Sequence, residues 1–156
     1  MMIMTRALTS SSLSRLAVVL LAAMSACLRS SQVLELEFYP PARPNAVFSP
    51  AVRVGNLLFL SGQIGTDSTG RLVAGGLQAE ARQALNNVRA TLERYGSSLD
   101  RVAKCMVFLA DIRDYADFNE IYVSYFRARK PARSAIAGSG LALNARVEVE
   151  CIGVVG

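Results

Sequence analysis

The order of the secondary structure predicted along the chain is that of an α+β domain. Two β segments come first, followed by a helix, a strand, a second helix and two further strands, and both helices carry apolar side chains at helical spacing. The length of 156 residues suits one domain with a sizeable core. We therefore expect a single α+β domain whose mixed sheet has both helices on one face.

The first two strands are predicted on either side of a turn at Gly55 and Asn56. The stretch AVRVGNLLFLSGQIG, residues 51–65, has apolar runs before and after this pair, which is typical of a β-hairpin. Residues 57–60 are all apolar, so we expect the second strand to be buried on both faces. Residues 65–73 are predicted to add a turn and a short strand. Upstream, the alternation in VLELEFY, residues 33–39, favours a short edge strand.

The two helices are predicted from the spacing of apolar side chains. The first runs from Leu77 to Tyr95, and Gly96 provides its stop signal. Asp111 or Asp114 is the expected cap of the second helix. Five side chains of the second helix are expected in the core: Phe118, Ile121, Tyr122, Tyr125 and Phe126.

Three more strands are predicted at residues 102–109, after Pro131, and in the final segment ARVEVECIGVV. In the last of these, alternation places residues 147, 149 and 151 on one face and Glu148 and Glu150 on the other. The second face mixes acidic with apolar side chains and has no predicted helix to cover it. Such a face is typical of an oligomer interface or a cleft.

The charge of the chain argues against a nucleic-acid partner. The formal net charge is +5, but three basic residues precede the first acidic residue: Arg6, Arg15 and Arg29. The remaining chain has 14 basic and 12 acidic side chains, a net charge of +2. This excess is too small for a surface that binds a phosphate backbone.

Histidine is absent from the chain, which limits both metal binding and proton transfer. Imidazole is the commonest metal ligand and the commonest general base, so acid–base chemistry must use carboxylates, tyrosines or water. The three cysteines, Cys27, Cys105 and Cys151, lack metal-ligand spacing, and we expect no metal site. Cys105 and Cys151 lie in apolar strands, where buried thiols and a disulfide both remain open.

The first 27 residues have the layout of a secretory signal peptide. A polar, basic segment is followed by LAVVLLAAMSA, residues 16–26, about half of the roughly 20 apolar residues that a membrane-spanning helix needs. Ala23 and Ser25 suit cleavage before Ala26, whereas MSAC resembles a lipobox with Cys27 as the lipidated residue. We expect export to the periplasm, free or lipid-anchored; a mitochondrial presequence is the alternative. Residues 28–45, which include FYPPARPN, are predicted to be an arm or linker.

The stretch KPARSAIAG, residues 130–138, contains an arginine that packing alone does not explain. Arg133 lies among small side chains in a predicted strand. Two interpretations are open. The guanidinium pairs with Glu148 or Glu150 in the sheet, or it holds a ligand carboxylate by two parallel hydrogen bonds.

Five stretches in this order and spacing point to one family: FSPAVRVGNLLFLSGQIG, QAEARQALNNVRATLE, DYADFNEIYVSYF, PARSAI and RVEVECIG. Together they make the chain from about residue 46 to residue 155 resemble the RidA (YjgF-type) family of enamine/imine deaminases. The resemblance implies a chorismate-mutase-like α+β domain over residues 46–156. It also implies a homotrimer with a central barrel and active sites in clefts between subunits, which would cover the face of the sheet that has no helix.

The resemblance implies a hydrolase that uses neither a cofactor nor a metal ion. Members of the family convert 2-aminoacrylate and related enamines or imines to 2-keto acids and ammonia. By position, Arg133 is the arginine that binds the substrate carboxylate, and Glu148 is the carboxylate that positions or deprotonates the hydrolytic water. Ser61 and Asn119 match polar residues of the cleft. The expected ligand is a small 2-imino or 2-keto acid.

Two positions depart from the family pattern. The cleft tyrosine of the family is Phe48 here, which removes a phenolic hydroxyl, and a position often occupied by cysteine is Ala135. Because Arg133 and Glu148 are present, the cleft is still expected to bind small carboxylates. The alternative function is a non-catalytic carboxylate-binding or interaction module of the same fold. The nuclease or translation-inhibitor activity ascribed to some relatives is disfavoured by the low charge and the absence of histidine.

Overall fold

The computed structural model describes residues 34–41 and 44–156. The predicted signal peptide, the lipobox at Cys27 and the beginning of the arm lie outside these described residues. The strands are β1 (Leu36–Phe38), β2 (Ala51–Val54), β3 (Leu57–Leu60), β4 (Gln63–Ile64), β5 (Val102–Leu109), β6 (Ala132–Ala137) and β7 (Val147–Val154). The helices are α1 (Gly76–Arg94) and α2 (Tyr115–Tyr125).

The strands form one mixed sheet, as predicted. The order is β1-β2-β3-β7-β5-β6, and β4 continues the pairing of β3 along β7. Neighbouring strands are antiparallel except for β5 and β6, which are parallel. A parallel pair needs a crossover connection, and α2 provides it. The predicted edge strand in VLELEFY is confirmed as β1.

Both helices pack on one face of the sheet and share a single hydrophobic core with it. On β7, the predicted alternation is confirmed, because residues 147, 149 and 151 are buried while Glu148 and Glu150 lie on the other face. The predicted apolar stripe of α1 is fully buried at four positions: Ala81, Leu85, Val88 and Leu92. Burying such a stripe removes apolar surface from water, and this is the main term that holds the helices to the sheet.

The ends of the helices follow the predicted signals in part. Gly96, just after α1, has a φ of 81°, the left-handed conformation that favours glycine. Asp111 caps the short 3₁₀ helix Ile112–Asp114 by accepting a hydrogen bond from the backbone N–H of Arg113 at 2.9 Å. Asp114 precedes α2 but does not cap it, because its carboxylate accepts hydrogen bonds from Arg146 instead.

Within one subunit, the prediction that β3 is buried on both faces is wrong. Leu58 and Leu60 are buried, but Leu57 and Phe59 are 37% and 40% exposed. The helices cover only one face, so an all-apolar strand presents half of its side chains to the other. We refer to this second face as the open face. The register places many apolar side chains on it: Leu36, Phe38, Val52, Leu57, Phe59, Met106, Phe108, Ile136, Ile152 and Val154.

The strand predicted within residues 65–73 is reduced to a single bridge between Thr66 and Leu72. The preceding turn is present, since the Asp67 carboxylate accepts a hydrogen bond from the backbone N–H of Thr69 at 2.8 Å. Just before this turn, the sheet contains the short strand β4, which pairs with β7 and was not predicted.

The cysteines of β5 and β7 are joined by a disulfide. Cys105 and Cys151 are opposite each other in the register of these strands, and both are buried on the helix-covered face. Of the two alternatives that the sequence left open, the structure contains the disulfide. On its other side, Cys105 is the register neighbour of Arg133 in β6.

Candidate active site

The guanidinium of Arg133 is surrounded by aromatic rings of α2. Arg133 is in register with Cys105 and therefore lies on the helix-covered face of β6. Its Cζ atom is 4.6 Å from the ring centroid of Tyr122, 5.4 Å from that of Tyr115 and 6.0 Å from that of Phe118. These rings share one side of α2 because they are three and four residues apart. Their faces attract the cation and fix its position.

Arg133 has no acidic partner in the described part of the chain. It pairs with neither Glu148 nor Glu150, so the interpretation as an ion pair in the sheet is wrong. Its one side-chain hydrogen bond among the described residues runs from Nη2 to the hydroxyl of Tyr115, at 3.1 Å. A partly buried guanidinium without a counter-charge is suited to bind the carboxylate of a ligand.

Asn119 and Ala135 lie on the same two elements as the aromatic rings and Arg133, namely α2 and β6. Asn119 is on α2 between Phe118 and Tyr122, and its Oδ1 atom is buried without a hydrogen-bond partner among the described residues. Buried polar atoms are normally paired, so this unpaired acceptor is a candidate partner for the N–H of a ligand that reaches it. Ala135 is two residues beyond Arg133 on the same face of β6 and packs against the core.

Tyr122 supports Arg133 with its ring, and its hydroxyl is also buried without a partner among the described residues. Burial raises the pKa of Tyr122 to about 12, although the nearby charge of Arg133 opposes the shift. The phenol therefore stays protonated at neutral pH and offers a hydrogen-bond donor.

Glu148 lies on the open face, beside the SGQ motif, which is residues Ser61, Gly62 and Gln63. It is in register with Ile64 of β4, and its carboxylate occupies the space next to the Cα of Gly62, where any side chain at position 62 would collide with it. Burial raises the pKa of Glu148 above its usual range, and the like charge of Glu150 raises it further. A carboxylate with a raised pKa is a better proton acceptor for water than an ordinary one.

Ser61 anchors the loop that carries Phe48. The Ser61 hydroxyl donates a hydrogen bond to the backbone oxygen of Ser49 at 2.7 Å. Phe48 is 62% exposed and lines an open cavity of about 630 Å³ together with Pro50 and Gln63. Gln63 belongs to the SGQ motif, and Glu148 lies against Gly62 of the same motif, so this cavity is close to Glu148.

The predicted site residues form two groups on opposite faces of the sheet. Arg133, Asn119 and Ala135 belong to the helix-covered face, and Glu148 to the open face with Ser61 and Phe48 near it. In register, Glu148 is three residues and two strands away from Arg133, about 10 Å in each direction. One subunit does not bring Arg133 and Glu148 together, so a site containing both requires two subunits.

Sequence reasoning missed Tyr115 and Gly62. The aromatic side chains of α2 were predicted as core, and Tyr115 was not among them. A signal was present, because Tyr115, Phe118 and Tyr122 follow each other at spacings of three and four, which places them on one side of a helix. For Gly62 the sequence carries no comparable signal.

The described part of the chain contains neither a metal-binding cluster nor a helix that could span a membrane. Among residues 34–41 and 44–156, no cluster of acidic or cysteine side chains could hold a metal ion. No helix within the same residues is long and apolar enough to cross a membrane.

Known proteins resemble this chain in sequence and structure. The family model described as Endoribonuclease L-PSP matches residues 40–155. Protein HMF1 of Saccharomyces cerevisiae is 46% identical over 107 residues, which cover 69% of this chain and 83% of HMF1. The 2-iminobutanoate/2-iminopropanoate deaminase of Mus musculus is 44% identical over 110 residues, 70% of this chain and 82% of that enzyme. The structure of E. coli TdcF with bound serine matches with a TM-score of 0.68 at 32% identity, covering 80% of this chain and 99% of TdcF.

Proposed function

We propose a function from the premise that this chain belongs to the RidA (YjgF-type) family. The Endoribonuclease L-PSP model that matches residues 40–155 and the 44% identical deaminase both represent this family. The function is hydrolytic deamination of reactive 2-enamino and 2-imino acids, such as 2-aminoacrylate, to 2-keto acids and ammonia, without a cofactor. The observation that carries this proposal is Arg133, held by aromatic rings and without an acidic partner among the described residues. The name of the 44% identical deaminase and the serine bound to TdcF support a small ligand with a carboxylate.

The proposed reaction needs a carboxylate anchor, an aligned imine and a group that takes a proton from water. Arg133 binds the carboxylate by two parallel hydrogen bonds, and the free Oδ1 of Asn119 accepts the N–H of the imine. Glu148 takes a proton from water while the water oxygen bonds to the imine carbon. That proton passes to the imine nitrogen, which gives a carbinolamine. The proton of the new hydroxyl group then moves to the same nitrogen, the carbon–nitrogen bond breaks with its electron pair leaving on ammonia, and the carbonyl of the 2-keto acid forms. One water is consumed, and one 2-keto acid and one ammonia are released.

The experiment that tests this function generates imines with an L-amino-acid oxidase and traps them with semicarbazide. A deaminase removes imines before they are trapped, so added protein should lower the rate of semicarbazone formation. An unchanged rate, together with binding of 2-ketobutyrate, would favour the alternative of a non-catalytic carboxylate-binding module. The specific observation behind that alternative is Phe48, which has no hydroxyl to offer at the cavity it lines.

Phe48→Tyr should raise the rate of imine hydrolysis several-fold. The ring is 62% exposed beside the cavity, so a hydroxyl can be added without disturbing the core. A phenol there would add a hydrogen bond to the substrate or to the attacking water. The measurement is the semicarbazide assay on the parent and the variant, with the oligomer mass as a control. A folded variant with unchanged or lower activity would show that Phe48 is suited to a different ligand.

The proposed assembly is a homotrimer in which Arg133 of one subunit and Glu148 of the next form a shared cleft. The positions of these residues on opposite faces of one sheet support it. The open face supports it independently, because it exposes many large apolar side chains, including Phe38 at 63% and Ile136 at 51%. Apolar patches of this kind normally mark a protein interface.

Light scattering on residues 28–156 should therefore report about three times the subunit mass. Phe59→Asp should dissociate the assembly, because it places a charge at the centre of the open face. Val123→Asp is the matched control, since Val123 is 47% exposed on α2, away from the sheet, and this variant should remain a trimer. A stable monomer of the parent protein would rule out the shared cleft.

Export to the periplasm, free or anchored through Cys27, is the proposed location. The apolar run at residues 16–26 supports it, and so does the Cys105–Cys151 disulfide, since disulfides persist in oxidising compartments. Expression of the full chain in a bacterium should yield a shortened product in the periplasmic or membrane fraction. Cys27→Ala should release a lipid-anchored fraction. A full-length cytosolic product would contradict export and favour the mitochondrial alternative.

A further inference from the structure

Tyr115 combines two features that its neighbours on α2 lack. It is the first residue of the helix and 42% exposed, whereas Phe118 and Tyr122 are buried beneath Arg133. It is also the residue whose hydroxyl receives the hydrogen bond from Arg133 Nη2, at 3.1 Å. The phenol thus lies at the exposed edge of the guanidinium, where a ligand would approach.

The hydrogen bonding of this hydroxyl leaves its own proton unused. Arginine has only donors, so the Tyr115 oxygen must be the acceptor of the bond from Nη2. Among the described residues, the Tyr115 O–H has no acceptor. Arg133 and Tyr115 together therefore carry several unused donors next to each other, with no acidic side chain of the described part of the chain to receive them.

Neighbouring donors without an acceptor favour an anion. We infer that Tyr115 is a substrate-binding residue, whose hydroxyl donates a hydrogen bond to the same carboxylate that Arg133 holds. This inference rests on the proposed function, because that carboxylate is the one of the 2-imino acid. The phenol would add a neutral hydrogen-bond donor beside the arginine. The site would then prefer ligands whose carboxylate can reach both Arg133 and Tyr115.

A substrate-binding role of Tyr115 can be distinguished by experiment from a purely structural one. The aromatic ring already contributes to the setting of Arg133, and Tyr115→Phe keeps that ring while it removes only the hydroxyl. A contact to the carboxylate is made equally in the substrate and in the transition state, because the carboxylate does not react. Loss of such a contact raises KM and leaves kcat unchanged.

The test compares Tyr115→Phe with a matched hydroxyl deletion on the same helix. Tyr125 donates a hydrogen bond to the backbone oxygen of Arg82 at 3.1 Å, and its ring lies near Arg89 and not near Arg133. We expect Tyr115→Phe to raise the Kd for 2-ketobutyrate and the KM for its imine about tenfold, with kcat within twofold of the parent. Tyr125→Phe should leave all three values unchanged, and both variants should keep the trimer mass.

The binding readout separates this inference from the proposed function. Calorimetry with 2-ketobutyrate requires no turnover. A parent protein that binds this acid but hydrolyses no imine would therefore contradict only the proposed function. A Tyr115→Phe variant that binds 2-ketobutyrate within twofold of the parent would overturn the inference while the function stood. A parent protein that binds no 2-keto acid would overturn both.

Discussion

Arg133→Ala should lower the catalytic efficiency of imine hydrolysis about a hundredfold, a loss on the order of 3 kcal/mol. The reason is that the variant loses a two-point hydrogen bond to the substrate carboxylate in a partly desolvated site. It also loses the orientation of the imine carbon relative to the attacking water. The measurement is kcat/KM from the semicarbazide competition assay at several substrate concentrations.

The fold and the assembly should survive this substitution, because Arg133 has no acidic partner among the described residues that would be left buried and unpaired. Arg133→Lys should recover only part of the activity, since lysine keeps the charge but not the planar fork. Arg89→Ala is the matched control. Its guanidinium also lies over a tyrosine of α2, with its Cζ 5.6 Å from the ring centroid of Tyr125, yet its removal should not change kcat/KM.

Two outcomes would revise the assignment of Arg133. If Arg133→Ala hydrolyses 2-imino acids at the parent rate, the substrate carboxylate is bound elsewhere. If the variant unfolds, the aromatic rings of α2 depend on the cation for their packing, and Arg133 is a structural residue. Circular dichroism and light scattering distinguish the second outcome from a true loss of activity.

Most of the fold could be predicted because its signals are local. The apolar spacing of α1, the stop at Gly96 and the alternation in β7 each depend on a few neighbouring residues, and each was confirmed. The failures concern tertiary context. An all-apolar β3 does not reveal that one of its faces lacks cover, and β4 has only two residues, too few for a periodic pattern.

The sequence named candidate residues for the site but not their arrangement. The resemblance to the RidA family supplied Arg133 and Glu148, whereas their separation onto opposite faces depends on strand register, which no short motif encodes. The disulfide depends on register in the same way, because Cys105 and Cys151 are 46 residues apart in sequence and become neighbours only when β5 pairs with β7. The spacing of Tyr115 from Phe118 and Tyr122 could be read from the sequence, but the contact of its hydroxyl with Arg133 is visible only in three dimensions.

Glu148→Gln should lower kcat about a thousandfold while the Kd for 2-ketobutyrate stays within twofold of the parent. General bases contribute on the order of 10²- to 10⁴-fold, and an amide cannot accept the proton of the attacking water. The amide has nearly the shape of the carboxylate, so it fits the space beside Gly62. Stopped-flow or trapping measurements of kcat, with calorimetry for Kd, separate this effect from that of Arg133→Ala, which should weaken binding.

The pH dependence of the reaction provides an independent check on Glu148. Burial and the charge of Glu150 raise the pKa of Glu148 above its ordinary value. A general base works in its ionised form, so kcat/KM should fall as the pH is lowered through this raised pKa. Glu150→Gln removes the like charge, which lowers the pKa of Glu148, and it should move this acid limb to lower pH without loss of activity at neutral pH. An acid limb that persists in Glu148→Gln, or turnover within threefold of the parent in that variant, would show that another group takes the proton from water.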